Sequence, residues 1–382
     1  MRDVMMGKVQ HVSDLASTNR NRVLRMLMNR DQLSRREISS RTGLAPSTVS
    51  NIVADLAEAG LIYTSGKRSH GSAGRKEEVI SRAPRAAMCI SVHYTTDAFT
   101  VSIVDFAYHV IRSSEIPVSF SSASELIETI GSAIRDVADD ESSHPRFVSL
   151  SLPNHPFGRT QVARGIEEKV GIPTFSLNNV ESMAMYYNHV GLKQRVPTFS
   201  LVYVGTGIGS ALVLDGEVYQ GTHGNASDLG HVHIRPSAIA CRCGRTGCLE
   251  TFASERALAR LIRDAYGLDQ TLHADALVQF LEDHVHDGDH RIPALLEIAT
   301  RDLAKGIYNL VALSDPGRVV VVSRLNRLNP VFAELLRRDY YDQAREPAGA
   351  RTELEFAAYL PEAGIVGAGI FGFKKFFGEV SL

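Results

Sequence analysis

The sequence predicts a winged helix-turn-helix followed by a larger α/β body, and three observations carry that reading. Apolar residues at helical spacing, with cap and turn signals between them, fill residues 19–60. A basic, glycine-rich stretch follows at residues 67–76. Beyond Pro84 the texture changes to apolar strands alternating with helical segments, the pattern of an α/β domain.

Bulk properties agree. A chain of 382 residues is too long for one ordinary core and implies two or three domains. Its 44% apolar and 22% charged residues fit a soluble globular protein. The segment Met1–Gly7 lacks the apolar core of a signal peptide, and no run approaches the roughly 18 apolar residues of a membrane span. Three of the four cysteines lie within eight residues, which points to a metal site in a reducing cytoplasm rather than a disulfide framework. The net charge of −2 is unevenly placed. Residues 19–80 hold eleven Lys and Arg against six Asp and Glu, a net +5, which leaves −7 for the remainder. A basic segment on an acidic body suits contact with a polyanion; a solvated basic face has the same composition.

Residues 1–18 show little periodicity and read as a flexible arm ahead of a DNA-binding domain over 19–84. From Asn21, the positions of Val23, Leu24, Leu27 and Met28 give a first helix. Ser34 can cap a second helix, with Glu37 three residues on completing a capping box and Gly43 ending it. Pro46 suits the first turn of a third helix, in which Val49, Ile52, Val53 and Leu56 face inward before Gly60. Two helices joined by a short glycine-containing turn define a helix-turn-helix. The outward N-terminal end of the third helix presents Pro46, Ser47, Thr48, Ser50 and Asn51, short groups able to approach base edges. Leu61-Ile62-Tyr63 begins a strand, and Lys67, Arg68, Arg75 and Lys76 mark a basic wing. With Arg35 at the head of the second helix, these ten residues are the expected DNA contacts. A three-helix interaction module with a solvated face would share some of these features, but not the agreement of cap, turn, small polar face and basic wing.

In the body over 85–382, strands are expected at Phe99–Asp105, Phe147–Leu152, Phe199–Val204 and Arg318–Ser323. A hairpin turns at Asp215-Gly216. Helices are expected near 123–138, 180–190, 254–266, 274–284 and 293–313. The sharpest chemical signal is His231 followed by Cys241, Cys243 and Cys248. Three thiolates and an imidazole form the soft donor set of tetrahedral zinc, and four protein ligands leave no open position, so the zinc would be structural. Read from spacing alone, His233 can replace His231, and the thiols can be redox-active instead.

The run Asp228-Leu-Gly-His231, then Cys241-x-Cys243-Gly-x-x-Gly-Cys248-Leu-Glu250-Thr-Phe-Ala-Ser254, closely resembles the signature of the ROK family of repressors, open reading frames and sugar kinases. Gly205-Thr206-Gly207-Ile208-Gly209, Asp315-Pro316 and Gly367-Ala368-Gly369 extend the likeness, and the helix-turn-helix with Gly74-Arg75 looks like the repressor branch. The resemblance spans residues 19–372. It implies an actin-like, hexokinase-like pair of lobes with a sugar cleft between them, and favours His231 over His233 as the zinc ligand. It places Asn178, Asp228, His231 and Glu250 at hydroxyl-binding positions, although Asp228 stands where the family usually has Glu. Asp228 and Glu250 are equally suited to supporting the metal loop from outside.

The same resemblance implies a kinase that has lost its chemistry. Phosphoryl transfer to a sugar needs a carboxylate to accept the hydroxyl proton. The family's Asn-Asp pair reads Asn178-Asn179 here, and an amide is no base. Glu181, two residues on, would point elsewhere on a helix. The glycines of the phosphate turn are replaced by His93-Tyr94, and a later Gly-Gly by Ser323-Arg324. Pro153-Asn154 replaces the usual Pro-Gly, with only 24 residues between Pro153 and Asn178.

The expected function is a cytoplasmic, sugar-responsive regulator, a repressor, binding double-stranded operator DNA as a homodimer or homotetramer. An active sugar kinase and a regulator controlled by a protein partner without a sugar are the alternatives.

Overall fold

A computed structural model of the chain describes residues 17–30, 32–68, 76–95, 98–117, 121–139, 144–153, 158–192, 196–344 and 351–379. The N-terminal elements are α1 (17–28), β1 (Leu33–Ser34), α2 (Arg35–Thr42), α3 (Pro46–Glu58), β2 (Ile62–Arg68) and β3 (Glu77–Arg82). α1 includes residues 17 and 18, two positions that the sequence assigned to the arm; residues 1–16 lie outside the described residues. Ser34 caps α2 reciprocally: its Oγ accepts from the Glu37 N–H at 3.2 Å, while Glu37 Oε2 accepts from the Ser34 N–H at 2.7 Å. Gly43 ends α2 at φ 68°, a left-handed conformation that costs a residue without Cβ little. Pro46 occupies the first turn of α3, where its missing N–H has no intrahelical partner to lose. Val23, Leu24, Leu27, Ile38, Val49, Val53 and Leu56 are buried. The strands pair in the order β1-β3-β2, so the wing is part of the same small sheet that anchors the start of α2.

The next sheet contains β4 (Met88–Tyr94), β5 (Ala98–Asp105), β6 (Val110–Pro117), β7 (Pro145–Leu152) and β8 (Thr174–Asn178), in the order β6-β5-β4-β7-β8. β4, β5 and β6 form an antiparallel meander, and β7 and β8 add on the other side in parallel. One face is covered by α4 (Ala123–Ala138) and α5 (Arg159–Val170), through Leu126, Ile130, Ile134, Val162 and Ile166 against Ile90, Val92, Val148 and Leu150.

The chain continues through α6 (Asn179–Tyr186), which passes into a π-helical turn over Tyr187–Gly191 where a single helix to 190 was expected. A second sheet follows from β9 (Phe199–Val204), β10 (Ile208–Leu214) and β11 (Glu217–Val218), with Asp215 and Gly216 at positive φ in the hairpin turn. Then come α7 (Glu250–Ala253), α8 (Glu255–Tyr266), α9 (Ala274–His286), α10 (Arg291–Ser314), β12 (Arg318–Ser323), α11 (Val331–Gln343) and β13 (Glu353–Ala358). The order β11-β10-β9-β12-β13 repeats that of the first sheet, again three antiparallel strands followed by two parallel ones. The body is therefore built from two copies of one topology.

The final helix, α12 (Glu362–Glu379), covers the free face of the first sheet. Its glycines permit the close approach: a Cβ on Gly372 would lie 2.3 Å from the Phe147 ring, and one on Gly364 would lie 2.1 Å from His93 Cε1. The chain divides into two compact units. One holds residues up to Ser182, His189–Gly191 and Gly364 onward; the other holds Met183–Asn188 and Leu192–Ala363.

Candidate functional site

The N-terminal face of α3 is built by its own periodicity. Val49, Ile52 and Val53 turn inward, which leaves Pro46, Ser47, Ser50 and Asn51 exposed and Thr48 half-buried. The Ser50 hydroxyl donates back to the Pro46 carbonyl at 2.9 Å, keeping its oxygen lone pairs outward as acceptors. In the wing, Lys67 and Lys76 are exposed, and Arg68 lies 3.2 Å from Gln32 Oε1. Arg75 lies outside the described residues, as does Asn154 of the altered Pro-Gly position. Arg35 pairs with Glu78 at 2.6 Å, so this expected DNA contact already has an anionic partner inside the domain.

In the second unit, the loop after β11 brings together His231, Cys241, Cys243 and Cys248, whose ligand atoms all lie within 4.8 Å of one another. His231 Nδ1 is 3.4 Å from Cys241 Sγ, and Cys243 Sγ is 3.6 Å from Cys248 Sγ. Metal–sulfur bonds of about 2.3 Å in a tetrahedron place sulfurs roughly 3.8 Å apart, so the spacing fits a four-coordinate metal. His233 is not in that group, although it pairs with Cys248 along the backbone; its ring lies against Gly247, where a Cβ would meet it at 2.5 Å. Cys241 and Cys248 are buried, which raises their pKa, whereas hydrogen bonds from the Arg245 backbone and side chain lower that of exposed Cys243 to about 6.

Glu250 opens α7 directly after this loop and is 4% exposed. Arg242, between two of the cysteines, holds its carboxylate through Nε at 3.0 Å and Nη2 at 3.2 Å. The Ile208 N–H and the Cys241 thiol approach the same carboxylate at 3.4 and 3.6 Å. Arg242 was not among the residues singled out from the sequence; a charged residue inside a metal loop carries no signal of where it folds. Asp228 is exposed at the head of the short turn carrying His231. Asn178 belongs to the other unit, where its Oδ1 accepts from the Val180 N–H at 2.8 Å and so caps α6.

The residues that the sequence sets against kinase positions make contacts within the protein. Glu181 Oε2 accepts from the Asn178 N–H at 2.8 Å and lies 3.5 Å from Arg159 Nη1, which commits it to the start of α6. His93 is buried, with Nδ1 2.8 Å from Ser151 Oγ, and Ser151 Oγ is 2.7 Å from Ser182 Oγ. In the glycine turn after β9, a Cβ on Gly205 would lie 2.2 Å from the Tyr203 hydroxyl. Arg324 pairs with buried Glu255 at 3.1 Å and lies over the Tyr359 ring at 4.5 Å.

Burial lowers the His93 pKa to about 4. The unfolded chain, with histidine near 6.5, therefore binds the extra proton first. This group's contribution is intact above about pH 6.5 and declines as pH falls towards 4. A thermal midpoint that drops over that interval, with a shallower drop in His93→Gln, is the expected result of a pH-dependent melting series.

A winged helix-turn-helix followed by a duplicated actin-like, hexokinase-like body, with a loop that gathers one histidine and three cysteines, defines a sugar-kinase-like class of protein with an added N-terminal domain. The ROK family profile matches residues 90–373 and the MarR family profile matches residues 19–75. The chain belongs to the ROK family. It is 24% identical over 347 residues to the N-acetylglucosamine repressor of Shigella flexneri, covering 85% of each chain. Its fold is similar to that of a ROK family transcriptional regulator described as a homologue of the Escherichia coli MLC protein, with a TM-score of 0.78 at 20% identity, covering 95% of this chain and 97% of that one. It is also similar to the ROK hexokinase of Thermus thermophilus, with a TM-score of 0.63 at 24% identity, over 76% of this chain and 99% of that one. Among the described residues no helix is long and apolar enough to cross a membrane.

Proposed function

We propose that this chain is a DNA-binding transcriptional repressor of the cytoplasm whose hold on its operator responds to a sugar or sugar derivative. The observation that carries the reading is the N-terminal domain: a capped α2, a glycine turn and an α3 whose exposed end is small and polar, attached to a ROK body. In this reading residues 19–84 bind the duplex and residues 85–382 sense the ligand and oligomerise. A homodimer presents two α3 helices to half-sites about 34 Å apart, or a multiple of that distance.

His231, Cys241, Cys243 and Cys248 would hold one zinc ion, whose role is to close the loop preceding α7. Asp228, His231, Glu250 and Asn178 are the proposed hydroxyl partners. A bound sugar acts only through a difference in affinity between DNA-competent and released states. The Arg242 clamp on Glu250 supplies a place for that difference, because a ligand hydroxyl reaching this carboxylate must share or displace a guanidinium. Glu250→Gln keeps the side chain's shape but weakens both interactions; it is expected to lose the sugar response while retaining metal. A second reading is control by a protein partner, supported by Asn154 and Asp228 standing where the family usually has Gly and Glu. Intact operator binding beside a failed sugar panel would favour that one.

The kinase-like body is read as inactive. Asn179 cannot accept a proton near neutral pH, Glu181 is committed to α6, His93 and Tyr94 stand in place of the glycines of the phosphate turn, and Tyr203 fills space beside Gly205. Purified protein is expected to consume no ATP with glucose or N-acetylated hexosamines, and Asn179→Asp alone is expected to restore none. Sugar phosphate formed by the unaltered protein would overturn this part.

A further inference from the structure

Beside Arg35, already an expected DNA contact, the N-terminal domain carries a second arginine, Arg36, and two glutamates that no role yet covers. Arg35 and Arg36 open α2, and Glu77 and Glu78 open β3. β3 pairs antiparallel with β1, with Ser34 opposite Val79, so the strand's first residues run back alongside the start of α2. Glu78 Oε2 meets Arg35 Nη1 at 2.6 Å, and Glu77 Oε1 meets Arg36 Nη1 at 3.4 Å. The Arg35 hydrogen bond and charge lower the Glu78 pKa, so the carboxylate stays ionised. Arg36 nevertheless remains 83% exposed.

Beside these pairs, a concavity of about 340 Å³ lies between α2 and the first turns of α3, lined by Arg35, Arg36, Ser39, Ser40, Pro46 and Ser50. Its lining holds two guanidinium groups and no carboxylate; the glutamates stand outside it. Of its three hydroxyls, those of Ser39 and Ser50 donate to the Leu44 and Pro46 carbonyls at 2.7 and 2.9 Å, which leaves the Ser40 hydroxyl for an anion. A guanidinium has five N–H donors, so an arginine that gives one or two to a carboxylate retains others for a second anion. The wall opposite α2 is the end of α3 that presents Ser47 and Asn51. An anion in the groove would therefore lie beside the proposed base-reading residues, where the duplex backbone runs and where the first helix of such motifs crosses it.

We propose that Arg36, with Arg35 and Ser40, forms a backbone-phosphate site in the groove between α2 and α3, and that Glu77 and Glu78 are resident counter-ions with which DNA phosphate competes. The proposal rests on the DNA-binding reading. The glutamates cap the sequence-independent part of the affinity, because phosphate contacts add binding without adding base information. Their place at the root of the wing gives them this role without occupying the groove.

The test uses the full chain and a random-sequence 30-base-pair duplex, with affinity followed by fluorescence anisotropy over a range of salt concentrations. Arg36→Ala is expected to weaken binding several-fold and to reduce the magnitude of the salt slope by about one. Glu77→Gln with Glu78→Gln is expected to tighten binding by about tenfold and to steepen the slope. Glu58→Gln provides the control, with the same charge change per site about 18 Å along α3 from Pro46. It is expected to change affinity by less than about twofold. The single Glu78→Gln variant, expected to shift affinity in the same direction, serves if the double substitution lowers the melting midpoint. No change in the glutamate variants, or an equal change per charge in Glu58→Gln, overturns the proposal while leaving duplex binding in place. Failure of the unaltered chain to bind any duplex at low salt overturns the DNA-binding reading with it.

Discussion

Cys248→Ala is expected to strip the metal from the protein and to lower its thermal midpoint by about 5–10 °C. Cys248 is 1% exposed and immediately precedes Leu249 and Glu250, which are buried at the start of α7. A metal on its sulfur would tie the loop to the core of the second unit, whereas Cys243 is exposed. The four donors converge only in the folded chain, so the free energy of binding a structural zinc, on the order of 10 kcal/mol in small zinc domains, is coupled to folding. With zinc held as proposed, removing one ligand would leave two thiols and an imidazole for a metal that needs four donors. Metal analysis of protein purified without chelator should find about one zinc per chain before the substitution and little after it. Full zinc content in Cys248→Ala, or none in the unaltered protein, would contradict this assignment.

The second large effect is expected at α3. Asn51→Ala should reduce discrimination between operator and random duplex by about ten- to a hundredfold, since a bidentate amide contact to a base contributes about 1–3 kcal/mol of discrimination. Asn51 is exposed on the face opposite Val49, Ile52 and Val53, so its removal should leave the fold intact. Ser47→Ala should act in the same way, more weakly. Lys76→Ala should instead weaken operator and random duplex by similar factors and reduce the salt slope by about one. Competition binding with both duplexes separates the two patterns. Equal losses on both duplexes for Asn51→Ala would move it from base reading to the backbone.

The local signals in the sequence translated well where a cap or turn fixes backbone geometry. Ser34 with Glu37, Gly43, Pro46 and the Asp215-Gly216 turn each specify a conformation through their own chemistry, and the corresponding elements lie where those residues put them. Elements defined by burial were harder to see. α12 carries five glycines in an apolar segment, so neither helix propensity nor an amphipathic stripe marks it; its helicity follows from packing against Phe147, Val104 and His93. β6 is a largely exposed edge strand with the sequence VIRSSEIP, and its pairing with β5, rather than an apolar face, defines it. The shared strand order of the two sheets is invisible in the residues, because topology can repeat while side chains diverge. In the candidate site, a cluster of three cysteines with a histidine was legible from donor chemistry and spacing, while the choice of His231 over His233 came from the family resemblance. The Arg242 clamp on Glu250 and the Arg35–Glu78 pair were not, because charge pairing across 8 and 43 residues has no sequence period.

The central claim is that one chain couples a sugar to an operator. Its most direct test is selection of duplexes from a random library by the full chain, followed by anisotropy on the enriched sequence with and without each of a panel of hexoses, pentoses and N-acetylated hexosamines. Enrichment of a sequence with two related half-sites is expected, with at least one sugar that changes its affinity in the unaltered protein but not in Glu250→Gln. A library that emerges with no preferred sequence would contradict it.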